Sequence, residues 1–196
     1  MMRTIVWDVD DVLNDLMYQW FTFAWLPAHP ECHVSYSGLT ANPPHEALGI
    51  ERSGYLASLD VFRATDRARS MTPSAEILSW FQLDGHRFRH LALSARPLES
   101  APEVARWVLE HFGAWIRCIG VVPTRTAPGI PAYDRTKADF LGWLGRGDIL
   151  IDDSPENIRQ AQLIGLKTLM PRQPWNQSRL TTHALLEDLT RMAGSF

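Results

Sequence analysis

Asp8-Val9-Asp10-Asp11 follows a short apolar run, Thr4-Ile5-Val6-Trp7, that reads as a buried β-strand. Residues i and i+2 of an extended segment point to one side, so Asp8 and Asp10 would form a concentrated negative site where the strand runs out. Such a site is costly unless a cation shares it. A solvated acidic turn is the competing account of these residues alone. Three later features shift the balance: Ser94, at the end of the apolar run His90-Leu91-Ala92-Leu93 and followed by Ala95-Arg96-Pro97; Lys137; and Asp152-Asp153, after Ile149-Leu150-Ile151. Each falls at the end of a predicted strand or the start of the next helix, and in open α/β sheets ligands bind at those carboxyl ends. Together they supply a carboxylate nucleophile, a second carboxylate for proton transfer, a hydroxyl and an ammonium for phosphate oxygens, and metal-binding carboxylates. This set suits phosphoryl transfer, which asks a protein mainly for positioning and charge neutralisation.

The elements that must position these residues are legible from residue 73 onward. Thr72-Pro73 opens a helix carrying Ile77, Leu78, Trp80 and Phe81 and stopping at Gly85. Ser100-Ala101-Pro102-Glu103 reads as a capping box before a helix bearing Val104, Trp107 and Val108. A strand over 115–122, a helix beginning near Lys137, a strand over 148–152, a helix from Ser154-Pro155, a strand over 167–170 and a helix from Thr181 or Thr182 complete the alternation. Apolar strands alternating with amphipathic helices predict an α/β fold, a doubly wound Rossmann-like parallel sheet. Residues 15–72 break the pattern with an aromatic-rich helical stretch (Leu16 to Trp25), a Pro/His/Gly-containing passage and a second helix near 51–65. An insertion there would sit over the strand ends as a small helical cap, leaving 1–14 and 73–196 as the core. Residues 123–134, with Pro123, Pro128, Gly129 and Pro131, read as a mobile loop.

Bulk properties narrow the field. The 196 residues suit one domain of ordinary size, and 45% hydrophobic residues suffice for a core. A net charge of −3 gives no basic surface for a nucleic-acid polymer. No apolar run is long enough to span a bilayer. Cys32 and Cys118 lie far apart without metal spacing, and Asp8, Asp10 and Asp11 interrupt any signal-peptide core, so a reducing cytoplasm is the expected compartment.

The ordered set DVDDV, LSAR, a lone Lys and LIDDS resembles the haloacid dehalogenase-like (HAD) phosphohydrolase superfamily over the whole chain outside residues 15–72. The resemblance implies Asp8 as nucleophile and Asp10 as general acid and base. It implies Mg²⁺ held by Asp8, Asp152, Asp153 and the Asp10 backbone carbonyl, and phosphoryl oxygens held by Ser94, Ala95 and Lys137. The substrate would be a small phosphomonoester. The superfamily's dehalogenases lack a carboxylate at the Asp10 position, and residues 15–72 contain no lysine for a Schiff base. Met170-Pro171-Arg172-Gln173-Pro174-Trp175-Asn176 is similar to the Gln-Pro-Tyr-Asn segment of the 5′(3′)-deoxyribonucleotidases, whose cap aromatics pack against the base; Trp20 and Phe23 would be their counterparts here, although aromatics at such spacing more often pack a core. Asp11 stands where the family has Gly, and Ser154 where those nucleotidases have Arg. Arg96 would bind a substrate anion or pair with Glu99. Asn157 would support the metal carboxylates or complete a helix cap with Ser154, and Asp11 and Asn14 would orient the cap hinge.

Overall fold

The computed structural model describes residues 2–125, 129, 131 and 133–193. The loop reading of 123–134 therefore falls in part, Pro128 included, outside the described residues. Five strands, β1 (Thr4–Trp7), β2 (Arg89–Arg96), β3 (Ile116–Pro123), β4 (Ile149–Ile151) and β5 (Lys167–Leu169), form one parallel sheet in the order β3-β2-β1-β4-β5. Alternate residues face opposite sides. Ile5, Trp7 and Ala92 pack with Phe81, Phe112 and Leu185, whereas Val6, Leu91, Leu93 and Leu150 pack with Leu141 and Ala161. Both faces are buried, as parallel sheets require, so every polar side chain of the central strands must emerge at their ends.

The helices run, in chain order, α1 (Leu16–Trp20), α2 (Leu26–Ala28), α3 (Arg52–Arg63), α4 (Asp66–Arg69), α5 (Ala75–Asp84), α6 (Ala101–Phe112), α7 (Lys137–Leu144), α8 (Pro155–Leu163) and α9 (Thr182–Ala193). A single π turn, Phe21–Trp25, joins α1 to α2. The inserted segment has its own apolar cluster, which includes Trp20, Phe21, Trp25, Tyr55 and Phe62 and is joined by Trp175 from beyond β5, edge-on to Tyr36. No described helix is long and apolar enough to cross a membrane.

Two helix starts differ from the sequence reading. α5 begins at Ala75 rather than at Pro73, because the Ser74 N–H donates to Leu13 O at 2.9 Å and holds Thr72-Pro73 in the connecting path. Ser100 does not form a capping box: its Oγ donates to Pro97 O at 2.8 Å within a 3₁₀ turn (Leu98–Ser100), leaving no acceptor aimed at Glu103. A capping box does occur at Thr136 and Asp139, at the start of α7. It fixes the helix end that carries Lys137. Gly120 on β3 lets α7 lie close, since a Cβ there would sit 2.7 Å from Phe140 Cζ.

Candidate active site

β1 and β4 end level, Trp7 pairing with Ile151. The next residues therefore leave the sheet side by side, with the Asp8 N–H donating to Ile151 O at 2.9 Å. This sets Asp8, Asp152 and Asp153 close enough that one carboxylate oxygen from each lies within 4.8 Å of the others. Lys137 enters from α7 and donates from Nζ to Asp8 Oδ1 at 2.7 Å and to Asp152 Oδ2 at 2.6 Å. Burial alone would lower the lysine pKa, but Asp152 and Asp8 outweigh it and raise it, so the ammonium stays charged. Asp8 Oδ1 also accepts from Val9 N at 2.7 Å, and no hydrogen bond reaches its Oδ2 among the described residues.

The remaining carboxylates are held from behind. Asp152 accepts from Ser154 N at 3.0 Å and from Asn157 Nδ2 at 3.0 and 3.1 Å; Ser154 Oγ accepts from Asn157 N, so Asn157 does both things considered for it. Trp175 Nε1 donates to Asp153 Oδ2 at 2.6 Å, and Asn176 Nδ2 donates to the Asp153 carbonyl at 2.9 Å. Burial first, then neighbouring carboxylates, raises Asp8 and Asp153 well above the usual carboxylate range. Three buried carboxylates around one ammonium leave an excess of negative charge, and their hard oxygen donors suit a divalent ion such as Mg²⁺. Ser94, 1% exposed on β2, has an Oγ with no hydrogen-bond partner among the described residues. A buried orphan hydroxyl is costly, and it lies at the strand end where a phosphoryl oxygen would accept from it.

Asp10 opens on the same cavity as Asp8 but has different partners. Arg96 grips it two-fold, Nε to Oδ2 at 3.1 Å and Nη2 to Oδ1, and Arg63 Nη2 of α3 donates to Oδ2 at 3.2 Å. Burial would raise the Asp10 pKa, but Arg96 and Arg63 overcome it and lower it. Arg96 thus pairs with Asp10, not with Glu99 and not with an open anion site. The Asp10 carboxylate is turned to these guanidiniums and takes no part in the acidic cluster of Asp8, Asp152 and Asp153. Arg63 gave no signal in the sequence: a single Arg on an amphipathic helix, 53 residues from its partner.

Asp11 has a φ of 60°, a conformation that favours Gly and tolerates Asp. Its Oδ1 accepts from Met17 N at 2.8 Å, capping α1, while its own N–H donates to Asn14 Oδ1 at 3.3 Å. Gln173 Nε2 donates to the Asp11 carbonyl at 2.8 Å. Asp11 thus ties the site to the inserted segment.

Trp20 and Phe23 do not line the cavity, contrary to the sequence expectation. Trp20 is fully buried and donates to Ser58 Oγ at 3.1 Å, and Phe23 lies on the far side of the helix under the Arg67 guanidinium, 3.6 Å from its ring centre. Helical spacing put Trp20 into the segment's own core and left Phe23 on the exposed face. The cavity, about 230 Å³, has Asp8, Asp10, Asp153 and Ala95 on its floor and Arg52, Tyr55, Leu59, Asp60 and Arg63 on its roof.

No protein-family model and no curated protein matches the sequence. Solved structures do match in shape. A hydrolase of Streptococcus pneumoniae TIGR4 aligns over 96% of this chain and 98% of its own at 13% identity, with a TM-score of 0.59. The HAD-hydrolase YfnB of Bacillus subtilis, whose structure holds magnesium, aligns over 98% and 99% at 15% identity and a TM-score of 0.59. A protein of Lactobacillus plantarum assigned as a phosphoglycolate phosphatase covers 86% and 85% at 14% identity, with a TM-score of 0.57. Such identities speak to architecture: the chain has the α/β fold of the HAD-like hydrolases.

Proposed function

We propose that this protein is a Mg²⁺-dependent phosphatase that hydrolyses a small phosphomonoester through a phosphoaspartate on Asp8, and that residues 15–72 act as its cap. The observation that carries the reading is the Asp8 carboxylate. One oxygen is fixed by Lys137 and Val9 N, and the other is without a hydrogen bond at a cavity. Carboxylates serve as covalent nucleophiles when positioned and screened.

Asp8 Oδ2 attacks phosphorus, and the bond to the leaving oxygen breaks as Asp10 supplies its proton. Asp10 then takes a proton from water, whose oxygen attacks phosphorus and releases Asp8. Ser94 Oγ and Lys137 Nζ donate to the phosphoryl oxygens. Asp8, Asp152, Asp153 and the Asp10 carbonyl would hold Mg²⁺, which offsets the repulsion between carboxylate and phosphate dianion. Arg63 and Arg96 keep Asp10 ionised, so loading it with a proton requires one of them to withdraw. Arg63 is the partner carried on the inserted segment.

The nucleotide form of this reading rests on the segment from Gln173 to Asn176. In the structure Gln173, Trp175 and Asn176 hold Asp11 and Asp153 instead of lining the cavity. Tyr55, buried with its hydroxyl toward Met17 Sδ, is the one aromatic among the described lining residues. A non-nucleotide substrate is therefore favoured. The free cysteines Cys32 and Cys118 suit a reducing cytoplasm.

Replacing Asp8 with Asn should abolish hydrolysis of p-nitrophenyl phosphate in Mg²⁺ while the circular dichroism spectrum is kept. Persistent Mg²⁺-dependent turnover by a folded Asp8→Asn protein would refute the mechanism.

A further inference from the structure

The roof of the cavity is one stripe of α3. Arg52, Tyr55, Leu56, Leu59, Asp60 and Arg63 recur at three- and four-residue spacing, and all face the space above Asp8. The ends of the stripe have different neighbours. Arg63 sits over Asp10 and also pairs with Asp60 at 3.3 Å. Asp60 in turn holds Arg125, which arrives from beyond β3 and is half exposed. Arg52, at the other end, has no hydrogen bond or ion pair among the described residues and is exposed to the same cavity. Eleven residues of helix separate Arg52 from Arg63, about 16 Å along the axis at 1.5 Å per residue. A phosphoryl group seated against Asp8 and Lys137 therefore leaves Arg52 for the other end of the substrate.

Three guanidiniums and one carboxylate on the roof give it a net positive charge. With no exposed aromatic face to stack on, it suits an anion better than a base or a bare sugar. A carboxylate is the group already found between two of these arginines: Asp60 is held by Arg63 on one oxygen and Arg125 on the other. Arginine forks match that planar geometry.

We propose that Arg52, joined by Arg125 when that side chain exchanges Asp60 for the ligand, reads a carboxylate on the substrate, which makes it the phosphomonoester of a small hydroxy acid. This rests on the phosphatase reading for its placement of the phosphoryl group. Two matched pairs of esters test it, each differing only in the tail: 3-phosphoglycerate against glycerol 3-phosphate, and 6-phosphogluconate against sorbitol 6-phosphate. Calorimetric binding to the Asp8→Asn protein in Mg²⁺ is the first readout, and wild-type kcat/KM the second. At least one acid should bind tenfold or more tightly than its neutral partner. That ratio should fall to within twofold of one in a background that also carries Arg52→Ala and Arg125→Ala. Equal or undetectable affinities within both pairs overturn the proposal, as does a preference that survives both arginine replacements. Preferential binding of an acid that the wild type fails to hydrolyse would sink the phosphatase reading and leave the carboxylate subsite standing.

Discussion

The floor and the roof of the cleft bury charge in opposite ways. On the floor, supplied by the sheet, Asp8, Asp152 and Asp153 share one ammonium, Lys137, at 2% exposure. On the roof and its seam with the core, carboxylates are outnumbered: Asp10 lies between Arg63 and Arg96, and Asp60 between Arg63 and Arg125. The floor is short of positive charge and the roof has a surplus, so each is incomplete without what would lie between them. The pKa directions record the same split. Burial raises Asp8 and Asp153, whereas at Asp10, two residues from Asp8, the guanidiniums overcome burial.

The largest expected effect tests the floor. Lys137→Met removes its only ammonium, and breaking a buried ion pair by deleting one partner costs about 3–5 kcal/mol. Urea denaturation should show a loss of that order, with turnover gone as well. A stability change near zero would mean that the floor does not depend on this cation, and the contrast with the roof would fail.

A second test separates sheet from seam by pH. His90 on β2 accepts from Trp7 Nε1 at 3.0 Å through Nδ1, so its Nε2 carries the proton and donates to Gly85 O at 2.7 Å. Burial lowers its pKa from 6.5 to about 4. The unfolded chain then binds more protons than the folded one between those values, so this contribution is present above pH 6.5 and is lost as pH falls to 4. At 1.36 kcal/mol per unit the loss is about 3 kcal/mol. Asp8, Asp11 and Asp153, with raised pKa values, act with opposite sign in the same range. The difference between wild type and His90→Gln isolates the imidazole. Asp10 is lowered from 3.8, so its pairs with Arg96 and Arg63 weaken only below that value. Stability curves for wild type and variant that stay parallel from pH 7 to 4 would remove the sheet's part of the contrast.

The smallest effect lies at the hinge. Asp11→Asn keeps both the tolerance of φ 60° and an acceptor for Met17 N, while relieving a carboxyl whose pKa burial raises. Its denaturation midpoint should correspond to a change of less than about 1 kcal/mol, within the range of a helix-cap substitution. Asp11→Val, β-branched at positive φ, should cost clearly more. Equal behaviour of the two would show that the left-handed residue does not matter.

Much of the floor was readable in the sequence because Asp8, Asp152 and Asp153 each follow an apolar strand, and a parallel sheet with both faces buried sends such residues to one edge; Lys137 reaches them from the start of α7. The strand order and the level ends of β1 and β4 are seen only in the structure. The roof was not readable. Arg63, Arg52 and Arg125 are single arginines on amphipathic or loop sequence, and their partners are set by how the insertion folds back. Trp20 and Phe23 show the same gap: aromatics at helical spacing do not say which one enters a core, as Trp20 does, and which one stays exposed, as Phe23 does. Ser100 and Thr136 both begin a Ser/Thr-x-x-acid pattern, yet only Thr136 caps, because Pro97 gives Ser100 a nearer acceptor.

Trp175 has a structural consequence for how the protein can be taken apart. It lies beyond the last strand, its indole is a buried member of the cluster made by residues 16–71, packed edge-on to Tyr36, and its N–H holds a carboxylate at the end of the sheet. The insertion therefore lacks part of its interior unless the far end of the chain has already come home, and the sheet's Asp153 lacks its donor unless that interior is built. The inserted segment is contiguous in sequence but not self-contained in space, so transplanting it into another scaffold would strip its cluster of one tryptophan.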